Sequence, residues 1–233
     1  MASAPFHFRK FSVRQDGVAH PLGADSVLLG AWAAIPEGTR HCLDIGTGTG
    51  VLALMLAQRC PAPVRAIEIH PGSAACARGN AAASPWADRV FVEEANIRTY
   101  APAQAFDCII SNPPYFSERV FAPDADRRVA RSTAAGLDFA ALLEAVRLLL
   151  SARGQFSLIL PLSEAQGFCE LACTLGLYCN RWTSVRTLPH KAPERALLGL
   201  SRSPYAWEKN ELLLFEAAGV KTTEYEGMVE AFF

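Results

Sequence analysis

The stretch whose reading decides the fold is His41-Cys42-Leu43-Asp44-Ile45-Gly46-Thr47-Gly48-Thr49-Gly50-Val51-Leu52. His41 to Ile45 is an apolar strand that runs into three alternating glycines, and Val51 to Arg59 follows as a helix. Glycines at such a strand-to-helix turn let the backbone approach a ligand closely, so a nucleotide-like cofactor is the natural occupant. A dinucleotide site asks for Gly-x-Gly-x-x-Gly to seat a pyrophosphate on the helix N-terminus, and this run spaces its glycines every second residue. Asp44, just before them, would repel a pyrophosphate but suits a ligand carrying ammonium and sulfonium charge. The pattern therefore favours S-adenosyl-L-methionine over NAD.

Outward from this turn the chain alternates strand and helix. Gly23 to Ala34 is an entry helix with Asp25 or Ser26 near its start. Downstream lie strand Val64 to Ile69, helix Pro71 to Ala83, strand Arg89 to Glu93, strand Phe106 to Ser111, helix Leu137 to Leu150, strand Gly154 to Leu160 and helix Ser163 to Leu175. Such alternation implies parallel strands with crossover helices. Leu177 to Leu188 and Ala196 to Arg202 are strands joined by a loop too short for a helical crossover, so an antiparallel hairpin at the sheet edge is expected. Glu211 to Glu216 is a candidate short strand, and Thr223 to Phe233 a closing amphipathic helix. The expected class is α/β, with a mostly parallel seven-stranded sheet and helices on both faces. One domain is expected over 1–233, divided into an N-terminal extension and entry helix (1–35), a cofactor-binding core (36–175) and a C-terminal edge hairpin with closing helix (176–233).

Two further places complete the candidate site. Glu68 closes the second core strand, where a carboxylate can accept bonds from both hydroxyls of a ribose. Asn96 and Ile97 follow the third, where an amide could meet an adenine edge and an apolar side chain its ring; Asn96 is equally suited to an Asx turn. Taken singly, the glycines are also compatible with a mere tight turn, and Glu68 with a solvated strand end.

The tetrad Asn112-Pro113-Pro114-Tyr115 follows the apolar strand Asp107 to Ser111, at the carboxyl edge of the sheet where open α/β folds bind ligands. The prolines fix φ and remove donors, which leaves the Asn112 side-chain carbonyl and the Pro113 main-chain carbonyl as two rigid acceptors. Two acceptors match one –NH2 group. An exocyclic amine is a poor nucleophile because its lone pair is spread into the ring; accepting both protons favours a tetrahedral nitrogen and hence the transition state. Tyr115 offers a flat face for base stacking, a contact worth roughly 1–3 kcal/mol. No general base is assigned, since a sulfonium is already an activated donor.

Composition sets the bounds. With 233 residues, 51% of them hydrophobic, the chain can bury a large core. A net charge of −1 excludes a uniformly basic nucleic-acid coat, so RNA binding would depend on local clusters. The seven cysteines are scattered through apolar stretches, and read as reduced core thiols. Cys169 and Cys173 are four apart, but nothing nearby completes a tetrahedral zinc set, so no metal is expected. With no leader-like N-terminus and no run of about eighteen apolar residues, a soluble cytoplasmic monomer is expected.

With these residues in place, the chain resembles the class I Rossmann-like methyltransferases, and within them the bacterial tRNA(Val) adenine N6-methyltransferase family. The closer likeness is carried by Phe8-Arg9-Lys10-Phe11, by Pro21 to Trp32, and by Asn112-Pro113-Pro114-Tyr115-Phe116. The resemblance implies a tRNA substrate, methylated on N6 of adenine 37 beside the anticodon, with S-adenosyl-L-homocysteine as the second product. It implies that Gly23 and Asp25 help close the methionine end of the cofactor, that Asp44, Gly46, Thr47 and Gly48 hold its backbone, and that Glu68 holds its ribose. Ile69, Asn96, Ile97 and Asn112 complete the expected cofactor set. The family often has Asp where Asn96 stands. The same tetrad serves release-factor glutamine N5-methyltransferases and ribosomal RNA guanine N2-methyltransferases, and a cofactor-binding scaffold without turnover is the non-enzymatic alternative. Discrimination rests on appended basic clusters: Arg186, Lys191 and Arg195 in a C-terminal stretch that also holds Arg181 and Arg202 against one acid, Glu194, and Arg127, Arg128 and Arg131 after the tetrad.

Overall fold

A computed structural model describes residues 4–114 and 138–233. The first element is a short antiparallel hairpin of β1 (Phe6–His7) and β2 (Ser12–Val13), where the sequence carries no strand signal. What holds it is aromatic packing: Phe8 and Phe11 stack with ring centroids 4.4 Å apart, both buried, and the Arg9 amide donates to the Phe232 carbonyl at 2.8 Å.

The core then follows the expected rhythm. The entry helix α1 (Ala24–Trp32) precedes β3 (Cys42–Ile45), α2 (Val51–Arg59), β4 (Val64–Glu68), α3 (Pro71–Ala82), β5 (Val90–Glu94) and β6 (Phe106–Ser111). After residue 138 come α4 (Phe139–Leu149), β7 (Leu150–Pro161), α5 (Leu162–Thr174), β8 (Tyr178–Arg186), β9 (Arg195–Ser201) and β10 (Glu208–Leu213). A small ribbon of β11 (Phe215–Ala217) and β12 (Val220–Lys221) leads into α6 (Thr223–Val229). The closing helix thus stops four residues short of the expected end.

Strand order is β10-β8-β9-β7-β6-β3-β4-β5. Only β9 runs against its neighbours, pairing antiparallel with β7 and β8, and the other pairs are parallel. The α/β class is as expected, but the sheet has eight strands among the described residues rather than seven. β10 adds to β8 in parallel, so the antiparallel hairpin lies one strand in from the edge. The reason is that β10 joins β8 through a long connection that passes through β9, a pairing with no local signature. Two apolar layers sandwich the sheet. One packs α1, α2 and α6 against it, with Leu29, Trp32, Leu54 and Met55 buried; the other packs α4 and α5, with Leu142, Val146 and Phe168 buried. No described helix is long and apolar enough to cross a membrane.

The turn from β3 into α2 carries the one fully buried carboxylate among the described residues. Asp44 is 0% exposed; its Oδ2 accepts from the Thr47 hydroxyl at 2.5 Å and from the Ala53 amide at 3.1 Å, so it caps the first turn of α2. Its Oδ1 has no hydrogen-bond partner. Burial pushes its pKa up to about 7, with nearby Glu68 adding to the rise and the Thr47 and Ala53 bonds opposing it. Because the folded value lies above the unfolded value of about 4, the unfolded chain releases this proton first as pH climbs, and stability falls between about pH 4 and pH 7 by up to about 1.4 kcal/mol per unit. Asp44→Asn keeps the acceptor and removes the charge. It is therefore expected to melt close to the parent at about pH 4 and above it at about pH 8 in calorimetric scans; a difference that does not change with pH would contradict this account of Asp44.

Candidate active site

The carboxyl edge of the sheet opens into a cavity of about 850 Å³. Its floor is built by two adjacent strands. Ile45 of β3 and Ser111 of β6 are register partners, and the Ser111 hydroxyl donates to the Ile45 carbonyl at 2.9 Å. The residues that follow them, Gly46 and Asn112, therefore leave the sheet side by side, and both line the cavity.

The glycine loop has a geometry that needs its glycines. Gly46, Gly48 and Gly50 have φ of 73°, 56° and 85°, in the left-handed region that side chains strain to enter. A Cβ added at Gly46 or Gly48 would meet nothing within 4 Å: these two face open space, a cradle that a bound group can fill. Gly50 instead packs on α3, where a Cβ would come within 3.3 Å of Ala77. The loop is pinned to β4 by the Gly46 and Thr47 amides, which donate to the Ile67 carbonyl at 2.9 and 3.0 Å. Glu68 completes the pinning: one carboxylate oxygen accepts from the Gly48 amide and the other from the His70 amide, each at 2.9 Å.

Gly46, Thr47, Gly48, Glu68 and Ile69 line one wall, with Ile69 64% exposed beside the cavity. Asn96 and Ile97 line the next. The Asn96 side-chain oxygen accepts from the Arg98 amide at 3.0 Å, the Asx turn that its position allows. Gly23 and Asp25 close the near side, and Asn112, Pro113 and Pro114 the far one. Asp44 is the exception, since it lies behind the loop and is not among the lining residues. Its place is under α2, because its carboxylate is taken up in capping. Tyr115, Arg127, Arg128 and Arg131 lie outside the described residues.

The expected C-terminal basic cluster is largely answered by acids. Arg186 holds Glu211 through two bonds of 2.7 and 3.2 Å, and donates to the Lys191 carbonyl at 2.8 Å. Arg181 reaches Glu208 at 4.0 Å and stacks over Trp32, 4.0 Å from the ring centroid. Both acids come from β10, the strand whose pairing the sequence does not announce. Arg195 lines the cavity and donates to Asp25 at 2.8 Å, while Lys191 is exposed.

Residues that sequence reasoning did not single out also shape the site. Asn80, buried at 2%, exchanges two 2.9 Å bonds with the backbone of Arg14 and donates to the Thr49 carbonyl at 2.8 Å. It ties the N-terminal segment to the glycine loop, and the Ala19 amide is held by the Ser73 hydroxyl at 3.0 Å. Ala19 to Gly23 thereby form part of the cavity wall. Ser26 accepts from the Asn112 amide nitrogen at 2.9 Å. The only available signal for Asn80 is a lone amide in an alanine-rich helix.

Comparison with known proteins agrees with this fold. The family model of the methyltransferase small domain matches residues 25–146. Curated proteins named tRNA1(Val) (adenine(37)-N6)-methyltransferase align along nearly the whole chain. That of Porphyromonas gingivalis is 42% identical over 98% of this chain and 94% of its own; that of Tolumonas auensis is 41% identical over 100% and 98%. Among solved structures, a predicted O-methyltransferase from Agrobacterium tumefaciens superposes with a TM-score of 0.69 at 20% identity, covering 89% of this chain and 96% of that one. A glycopeptide N-methyltransferase complexed with S-adenosyl-L-methionine gives 0.55 at 14% identity over 72% and 89%. At such identities the two structures speak for the fold alone, that of the class I methyltransferases. With a fold, a glycine cradle and a full-length likeness in agreement, the chain belongs to the methyltransferase small domain family and, within it, to the tRNA1(Val) (adenine(37)-N6)-methyltransferases.

Proposed function

We propose that this protein transfers a methyl group from S-adenosyl-L-methionine to the exocyclic N6 of an adenine in tRNA, adenine 37 beside the anticodon of tRNA(Val). The observation that carries the reading is the adjacency of Gly46 and Asn112 at the ends of neighbouring strands, which sets a cofactor cradle against a pair of carbonyl acceptors. The names of the full-length relatives supply the nucleotide.

The residues present fit the cofactor. The open cradle at Gly46 and Gly48 accommodates the methionine part, and Thr47 and the Gly23–Asp25 turn flank it. Each Glu68 oxygen spends one lone pair on a backbone amide, which leaves acceptor capacity on both for ribose hydroxyls. Ile69 and Ile97 give apolar faces for the adenine, and Asn96 and Arg98 its polar rim. Asp44 acts indirectly, through the loop and the start of α2. When bound, the cofactor supplies a methyl group activated on a sulfonium.

The chain's own contribution is to hold the acceptor. The Asn112 side-chain carbonyl and the Pro113 main-chain carbonyl accept the two N–H bonds of the amine, which draws its lone pair out of the ring and along the line of transfer. Pro113 is buried, so its carbonyl is fixed before the base arrives. The amine nitrogen becomes acidic as the methyl attaches and gives up one proton to solvent. An anticodon-loop base is already unpaired, so bringing it into the cavity costs little. Within the expected C-terminal cluster, Lys191 is exposed and is assigned to phosphate contact. Arg195 and Arg186 enter the same reading as cations already engaged with Asp25 and Glu211.

Incubating the protein with labelled S-adenosyl-L-methionine and unmodified tRNA, then digesting to nucleosides, is expected to give N6-methyladenosine; label in a release-factor glutamine and none in tRNA would overturn the substrate assignment. Asn112→Ala is expected to lower kcat about 100- to 1,000-fold, the scale of losing one preorganised partner of the reacting group. Cofactor Kd by titration calorimetry should stay within about twofold. Glu68→Ala should raise that Kd about 10- to 100-fold, the range for a hydrogen bond to a charged group.

A further inference from the structure

We propose that Ser26 is a positioning residue for methyl transfer, holding the Asn112 amide so that its carbonyl end faces the incoming amine. The inference rests on the function proposed above and deepens it.

Ser26 lies in the first turn of α1, whose N-cap, Gly23, offers no side chain. Its hydroxyl is bonded not within that turn but across 86 residues of sequence to Asn112, at 2.9 Å from Nδ2. Both residues line the cavity. The helix that delivers the hydroxyl is rigidly seated: Val27, Leu28 and Leu29 are buried. At its far end the Trp32 indole donates to Thr183 at 3.0 Å, and Arg59 donates to the Gly30 carbonyl at 2.7 Å. Asn112 is equally fixed at its base, because Ser111 before it is bonded to the Ile45 carbonyl and Pro113 after it restricts its backbone.

What matters chemically in Asn112 is the orientation of its amide, whose two ends have nearly the same shape and opposite hydrogen-bonding character. An amide nitrogen turned toward the substrate would set donor against donor. With the carbonyl oxygen on the amine, the nitrogen is the end that needs a partner, and Ser26 supplies an acceptor there. A hydroxyl can also donate, so Ser26 does not choose the polarity alone; it holds the amide plane in place, and the amine selects the carbonyl end. Because the amide plane is held before the base enters, the benefit falls on the rate of transfer and not on the binding of either partner.

The test compares Ser26→Ala and Ser26→Thr with the parent in single-turnover methylation of unmodified tRNA at saturating S-adenosyl-L-methionine. It is accompanied by cofactor Kd from calorimetry and by thermal melting. The alanine variant is expected to lose about tenfold in transfer rate, the effect of one lost hydrogen bond. Its KM for tRNA and its cofactor Kd should remain within about twofold of the parent by the same partition. The threonine variant, which keeps the hydroxyl, should recover most of the rate. Should alanine unfold the helix start, Ser26→Cys keeps the volume with a weak acceptor and is expected to show the same loss. A Ser26→Ala enzyme as fast as the parent overturns the inference, as does a loss shared equally by rate, cofactor affinity and the threonine variant, which would make Ser26 a packing residue. Failure of the parent itself to methylate tRNA would sink the proposed function instead, and is read from the parent lane alone.

Discussion

The carboxylate of Glu68 bonds the amide of Gly48 at 2.9 Å, and the shape of the site depends on that contact. Three left-handed glycines in five residues give a loop with many alternative courses, and entropy alone would let it wander. Glu68 holds one side of it to β4, the Ile67 carbonyl holds its start, and Asp44 anchors its exit by capping α2. The loop is thereby closed on protein partners before any ligand arrives. In the proposed function the same carboxylate that shapes the loop is the group offered to the ribose, so formation of the cradle and recognition of its occupant are linked through one side chain.

The second constraint is the register of β3 against β6. Had the pairing slipped by one residue, every side chain of the strand would have changed face, and Asn112 would no longer sit next to Gly46. Buried apolar residues on both faces of the sheet fix that register. From the other side α1 reaches the same corner with two consecutive side chains: Asp25 bonds Arg195 at the start of β9, and Ser26 bonds Asn112 at the end of β6. A partly exposed ion pair contributes modestly to stability, about 1 kcal/mol or less once solvent screening is allowed for. The value of the Asp25–Arg195 contact is geometric, since it draws the reversed strand toward the entry helix at the cavity rim.

What could be read in the sequence was local. The strand Cys42–Ile45 announces itself by an apolar run that ends in glycines, Glu68 by its place at a strand end, and Asn112 to Pro114 by a pattern whose hydrogen-bonding chemistry is written in the residue types. What could not be read was long-range. Neither Asp25 with Arg195 nor Ser26 with Asn112 has a signature, because each joins residues far apart in the chain. The extra strand β10 was visible only as a candidate, and its parallel pairing with β8 was not visible at all. Yet that pairing brings Glu208 and Glu211 beside Arg181 and Arg186 and turns an apparent basic stripe into mostly satisfied pairs. The sequence position of Asp44 is the same whether its carboxylate points into the cavity or under the helix, and only the fold separates the two.

The most direct test of the central claim is a crystal structure of the protein with S-adenosyl-L-homocysteine. The account predicts the ribose on Glu68, the adenine between Ile69 and Ile97, the amino-acid end over Gly46 and Gly48, and the sulfur directed toward the corner formed by Asn112 and Pro113. Binding at another place, or a sulfur turned away from a closed Asn112 corner, would contradict it.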